Sequence, residues 1–377
     1  MGVKSTTQKH SYPGAAEIEV SLFGSGFGYG ESILVHLGND NWMVVDSCKN
    51  PNTKEPLVLE YLKNISPNLS RKIKYIVATH WHDDHIGGIA QILDESLEGK
   101  FCVSSALHSD EFFTLIQYDD KIKSVNSGVV EFNKIAAIAT ERKITIKQLK
   151  EDHLIHNDNV GKNNISVFAL SPSDASISYS QKEIISLLSE YKNSNKVISK
   201  TKPNDNSIVI LININSDSIL LGADLENRND KVTGWEAVFK TQSIKGKKAK
   251  IFKIPHHGSE TSYNSDLHSS FIENDHISML TPFNRGRKKL PTKNDIEKIL
   301  SHTAKSFITS STHGLKIKKR NIKVNKILND FDFLVKEYPF EYGHIRIRKD
   351  FSVKNSDWKI DLFGNAICLK EILAEYK

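Results

Sequence analysis

The sequence predicts a mixed α/β fold in which several buried strands end on metal-ligating side chains. Three observations carry that expectation. Apolar runs of strand length alternate with helical patterns along most of the chain. The stretch Thr79-His80-Trp81-His82-Asp83-Asp84-His85-Ile86-Gly87-Gly88 packs three imidazoles and two carboxylates into six residues. It follows the apolar run Tyr75-Ile76-Val77-Ala78 and precedes a helical pattern, which puts it on a loop at a strand end, where sites are commonly built. Two later strands, running into Asp224 and into His256-His257, close on the same residue types.

At 377 residues the chain has room for one large domain or two modest ones, and no clear linker divides it. Apolar content of 38% and charged content of 25% are those of an ordinary globular protein. No apolar run is long enough for a membrane span, and Met1 to Gly14 lacks the apolar segment of a signal peptide. Cys48, Cys102 and Cys368 are an odd, sparse set, so a reducing compartment without disulfides is expected, with the cytoplasm as the default. The net charge of +6 permits a polyanionic substrate without demanding one.

In chain order, residues 1–16 are polar and expected to fray. Glu17 to Phe23 alternates as a first strand. The glycine-rich segment from Gly24 to Ser32 lacks the Gly-Lys-Ser/Thr of a phosphate-binding loop and reads as a tight connection between strands. Ile33 to Leu37 and Trp42 to Val45 form a hairpin about Asn39-Asp40, ending at Asp46. Helical patterns cover 56–64, 91–98, 129–142, 179–191, 235–241 and 294–303, with a partly helical stretch over 110–126. Strands are expected at 101–105, 144–146, 165–170, 207–213, 218–221, 251–254, 277–281 and 343–348.

Imidazole nitrogen and carboxylate oxygen suit zinc and other borderline divalent ions. His80 and His82 flank Trp81, so in an extended segment they point the same way. Asp84 and His85 follow after a turn and can face a second ion. A polar surface loop is the plain alternative, but it does not account for this density and order of ligand types.

The pattern His80-x-His82-x-Asp84-His85, followed by Gly87-Gly88, resembles the HxHxDH signature of the metallo-β-lactamase fold hydrolases. The resemblance implies a four-layer αβ/βα sandwich and hydrolysis by a metal-bound hydroxide. It makes His80, His82, Asp84 and His85 metal ligands and Asp224 a carboxylate bridging two ions. Asp46 would hold the metal loop or a ligand histidine through outer hydrogen bonds. Pro255-His256-His257-Gly258-Ser259 resembles the subgroup of the DNA-uptake channel hydrolase domains, as do Gly30-Glu31-Ser32-Ile33, Asn206-Ser207 and Gly222-Ala223-Asp224. On that resemblance His257 is the next ligand and His256 either supports the ligands from behind or faces substrate, with the reverse assignment open. Asp84 would also shape the basicity of the attacking water. His256 and His344 are candidates for protonating the leaving group.

The sequence departs from the family at Ser171-Pro172-Ser173-Asp174, where many members carry a further histidine. His153 and His156 lie earlier, in what reads as a polar loop or strand edge. The first site then holds metal weakly, takes another ligand, or stays empty. The expected cofactor is Zn2+, one or two ions, with Mn2+ as the alternative.

Two basic runs, Arg285-Gly286-Arg287-Lys288-Lys289 and Lys316-Ile317-Lys318-Lys319-Arg320, suit a phosphodiester substrate, and a solvated lysine-rich face explains them equally. Arg285, Arg287 and Lys288 are the expected substrate contacts. The leading expectation is a phosphodiesterase or nuclease acting on nucleic acid or nucleotides, with defence against foreign DNA as one role. A carboxylic ester, lactone or amide hydrolase would instead need an apolar pocket. A non-catalytic, metal-stabilised component of a multi-protein system would need a partner protein. Residues 17–377 are expected to form one hydrolase domain with a C-terminal extension from about residue 315.

Overall fold

The computed structural model describes residues 11–26, 28–107, 111–112, 114, 127–194, 202–228, 230–285, 288–312 and 341–375. The chain folds around two sheets of eight strands each. Strands β1 (Glu17–Gly24), β2 (Glu31–His36), β3 (Trp42–Val45), β4 (Ile73–Ala78), β5 (Lys100–Ser104) and β6 (Lys147–Leu149) open the first sheet. The second holds β7 (His153–Val160), β8 (Asn163–Ala169), β9 (Ile210–Ile214), β10 (Asp217–Leu221), β11 (Ala249–Lys253), β12 (Ile272–Leu280) and β13 (Ser306–Ile308). β14 (Gly343–Asp350) and β15 (Lys359–Gly364) return to the first sheet, and β16 (Ile367–Cys368) completes the second.

The two-residue period of each strand sorts its side chains into layers. In β1, Ile18, Val20 and Leu22 turn inward, and in β9 Ile210, Ile212 and Ile214 meet them in a core between the sheets. Phe23 and Leu34 face the other way, against Leu57, Tyr61 and Leu62 of the helix Leu57–Ile65 and Ile92 of the helix Ile89–Glu95. Leu211 and Leu220 face outward from the second sheet, against Ile296 and Ile299 of the helix Lys293–His302. Burial on both faces explains why these strands read as continuous apolar runs. The result is the four-layer αβ/βα arrangement.

β3 to β6 run parallel, as do β10 to β13. Their carboxyl ends therefore collect at an edge of each sheet, the usual place for a site in an α/β sheet. The loops after β3, β4, β10 and β11 carry Asp46, His80 to His85, Asp224 and His257.

Within the expected C-terminal extension, β14 pairs with β1 over eight positions, from Glu17 opposite Asp350 to Gly24 opposite Gly343, and lies inside the first sheet. Backbone pairing between distant segments leaves no local pattern to read. Residues 11–16 are tied down rather than frayed, since Arg348 donates to the Ser11 carbonyl and hydroxyl and Tyr12 donates to Asp40 at 2.6 Å. The strand expected at 144–146 falls at Lys147–Leu149, and the helix expected from 179 begins at Asp174. Most of 110–126 and the basic run 316–320 lie outside the described residues. Among the described residues no helix is long and apolar enough to cross a membrane.

Candidate metal centre

Asp46 sits at the end of β3 with φ at +59°, a left-handed conformation for a non-glycine residue. Its Oδ1 accepts the Thr79 backbone N–H at 2.8 Å, and its Oδ2 accepts the Thr79 hydroxyl at 2.7 Å. The same Oδ2 lies 2.8 Å from His85 Nδ1. A carboxylate can only accept, so His85 carries its proton on Nδ1 and turns the Nε2 lone pair outward. Because the Thr79 hydroxyl donates to Asp46, it accepts from His80 Nδ1 at 2.9 Å, and His80 Nε2 is left as a lone pair too. His257 is fixed the same way: its Nδ1 lies 3.1 Å from the Thr281 carbonyl oxygen.

The freed lone pairs converge. Asp84 Oδ2 stands 3.8 Å from His85 Nε2 and 3.3 Å from His257 Nε2. Asp224 Oδ2 stands 3.4 Å from His85 Nε2 and 3.5 Å from His257 Nε2. His80 Nε2 and His82 Nδ1 are 3.1 Å apart, beside this group. Two ligands on a tetrahedral zinc, each at about 2.0–2.1 Å, stand about 3.3 Å apart. The separations match ligands sharing an ion. His85 Nε2 is buried without a hydrogen-bond partner, a state that proteins rarely leave uncompensated. Asp84, His85 and His257 form one group able to hold a metal ion, and Asp46, His80 and His85 another. The nitrogen and oxygen donor set fits a divalent metal such as zinc.

The electrostatics agree. Burial works against charge on Asp84 and Asp224, yet His85 and His257 outweigh it and hold both carboxyls below the usual carboxylate range. Burial also opposes charge on His85 and His257, and the carboxylates overcome it, raising both imidazoles. His80 and His82 are held below the ordinary imidazole value, chiefly by burial, so they stay neutral and able to ligate.

The family model for the metallo-beta-lactamase superfamily matches residues 25–269. The chain belongs to the metallo-β-lactamase superfamily. A 51-residue segment is 51% identical to the Beta-lactamase-like protein 2 homolog of Caenorhabditis elegans, covering 13% of this chain and 17% of that protein. Two solved structures align at TM-scores of 0.32. One is MEM-A1, a subclass B3 metallo-beta-lactamase from a soil metagenome library, at 10% identity over 66% of this chain and 80% of that one. The other is the metallo-beta-lactamase SMB-1 bound to 2-mercaptoethanesulfonate, at 11% identity over 66% of this chain and 82% of that one. Fold and cluster together mark a site able to hold a divalent metal ion.

Within this metallo-β-lactamase fold, the segment lacking the family's further histidine has another task. The Ser171 hydroxyl donates to the Ser207 carbonyl at 2.6 Å and accepts the Val209 N–H at 2.8 Å, joining the ends of β8 and β9. His153 and His156 lie on β7, the edge strand of the second sheet, with His156 against the Tyr75 hydroxyl at 3.3 Å. Neither joins the cluster.

His256 lies on the rim. It is partly exposed, with Nδ1 3.2 Å from the Thr261 hydroxyl and 3.5 Å from Glu226, and Nε2 3.4 Å from the Asn204 amide. His344 is a correction. Its fully buried ring stacks on Phe23 at 4.2 Å between centroids and meets the Tyr61 edge, with Nε2 2.9 Å from the Ser21 hydroxyl. It faces the helix layer, not the cluster. The alternation of β14 could not say which face was which.

Arg285 is exposed, its guanidinium 3.6 Å above the Tyr29 ring. Tyr29 packs 5.9 Å from Phe283, whose ring stacks on His257 at 5.3 Å. Burial first, then the charges of Asp84 and Asp83, raise the Tyr29 phenol. Lys288 is exposed on the same loop, and Arg287 lies outside the described residues.

Sequence reading missed Tyr29, Thr79, Thr281 and the buried pair Glu31 and Lys253. Lys253 had a signal: a lysine inside the apolar strand Ile251-Phe252-Lys253-Ile254, two residues before Pro255-His256-His257.

Proposed function

We propose that this protein is a metal-dependent phosphodiesterase acting on nucleic acid or nucleotides. The observation that carries the substrate class is Arg285, an exposed cation stacked on Tyr29, whose neighbour Phe283 stacks on His257. A guanidinium presents paired N–H donors that suit phosphate oxygens. The likeness of Pro255 to Ser259 to the DNA-uptake hydrolase segment supports the same reading.

His80, His82, Asp84, His85, Asp224 and His257 would hold the metal. A bound divalent ion supplies a nucleophile from water at neutral pH and polarises the phosphoryl group. The protein's own part is arrangement. Asp46 fixes His85 directly and His80 through Thr79. Thr281 fixes His257. Arg285 holds a phosphate oxygen of the substrate. His256, at the rim and beside Glu226, hands a proton to the leaving oxygen.

The test is a metal count on protein purified without chelator, paired with turnover of bis-p-nitrophenyl phosphate with added Zn2+ or Mn2+. Bound ions and turnover lost in His82→Ala and Asp224→Ala are expected, with DNA tested next. Failure to bind either ion, or full turnover in Asp224→Ala, would overturn the reading.

A further inference from the structure

Lys253 has no role in holding a metal, yet it is fully buried directly behind the ligands. Its Nζ lies 2.6 Å from Glu31 Oε1 and 3.7 Å from Asp224 Oδ1. It donates to the Ala223 carbonyl at 2.8 Å. The other Glu31 oxygen, Oε2, accepts the Thr281 hydroxyl at 2.6 Å. That hydroxyl, already donating, accepts from His257 Nδ1 at 3.1 Å. The start of β2, the end of β11 and the segment after β12 thus meet behind two ligands, Asp224 and His257.

Ala223 explains why a cation stands there. Its φ is +45°, in the left-handed region that disfavours any residue with a Cβ. Its carbonyl takes two donors, Lys253 Nζ and the His256 N–H at 3.1 Å. These bonds hold the turn that aims Asp224. A buried ion pair is a poor device for stability alone, since apolar side chains of similar volume often serve as well. We infer that Lys253 and Glu31 are positioning residues for the metal. The ammonium faces Asp224 Oδ1 and leaves Oδ2 toward His85 and His257, while Glu31, through Thr281, fixes the His257 ring. The inference rests on the reading of the cluster as a divalent-metal centre.

Charge alone predicts the opposite: removing a fixed cation beside the site tightens metal binding. The double variant Lys253→Met/Glu31→Gln separates the two effects, because it removes one charge of each sign. The measurement is Zn2+ affinity by chelator competition, with Co2+ absorption reporting ligand geometry and circular dichroism reporting the fold. The expected result is a folded protein with Zn2+ affinity lowered about 10- to 100-fold and an altered Co2+ spectrum, the usual effect of losing groups that orient metal ligands. Wild-type affinity and spectrum in the folded double variant would overturn the inference. Should the double variant not fold, Glu31→Gln alone decides by the Co2+ spectrum, because loss of its negative charge would lower affinity in either case, and an unchanged spectrum there overturns the inference. If the wild-type chain binds neither Zn2+ nor Co2+, the reading of the centre itself has failed, which is a separate result.

Discussion

Asp46 Oδ2 lies 2.8 Å from His85 Nδ1, and this contact decides which nitrogen His85 turns toward Asp84 and Asp224. Three donors, the Thr79 N–H, the Thr79 hydroxyl and His85 Nδ1–H, converge on one carboxylate. Asp46→Asn offers a single accepting oxygen, so a donor is stranded and His85 is released. Metal affinity should fall about 10- to 100-fold. The fold should lose about 1–3 kcal/mol. Chelator competition and thermal melts measure the two. Undiminished affinity would mean that His85 is oriented by other contacts.

Acid stability should trace in part to Asp217. This buried carboxylate accepts from Lys250 at 2.6 Å, Lys349 at 2.8 Å and Trp358 Nε1 at 3.1 Å, joining β10 of one sheet to β14 of the other. Burial would raise its pKa, but the two lysines outweigh burial and hold it below the ordinary value. A carboxyl depressed on folding contributes stability above its unfolded pKa and loses it as pH falls through the folded one. Asp217→Asn should therefore cost about 1–3 kcal/mol at pH 7. The gap to wild type should narrow below about pH 4. Melting curves at several pH values test this, and a gap independent of pH would contradict it.

His344→Phe should leave the metal centre alone. The ring belongs to the aromatic group of Phe23, Tyr61 and Phe363. Metal content should be unchanged and stability altered by no more than about 1–2 kcal/mol, for the lost bond at Ser21. A drop in metal content would return His344 to the site.

Arg285→Ala should raise KM for a phosphodiester roughly tenfold while kcat and metal content hold. If the substrate is nucleic acid, the salt dependence of binding should also weaken by about one counterion. Titrating binding against salt measures this. An unchanged KM would leave Arg285 as a surface cation resting on Tyr29.

The candidate ligands were legible because each stands at a strand end within a few residues of an apolar run. His80 to His85 is a local motif, and Asp224 and His257 follow buried strands directly. Glu31 and Lys253 were not, because their pairing joins the two sheets and neither side chain reveals its partner locally. Mixed α/β was legible from patterning and the four-layer sandwich from the resemblance of the His80 to His85 motif, but the place of β14 was not. Hydrogen bonding between Ser21 and His344 spans 323 positions, beyond any pattern of neighbouring residues. His344 was misread for the same reason: its face is set by a strand almost a chain length away.

That separation also orders events during synthesis. β1 lies inside its sheet, yet its neighbour on one side is translated hundreds of residues later. Until β14 arrives, one edge of β1 offers unpaired N–H and C=O groups, a template for any other extended chain. A nascent chain in this condition is open to aggregation on the ribosome. Arrival of β14 and β15, rather than formation of the metal loop, then completes the first sheet.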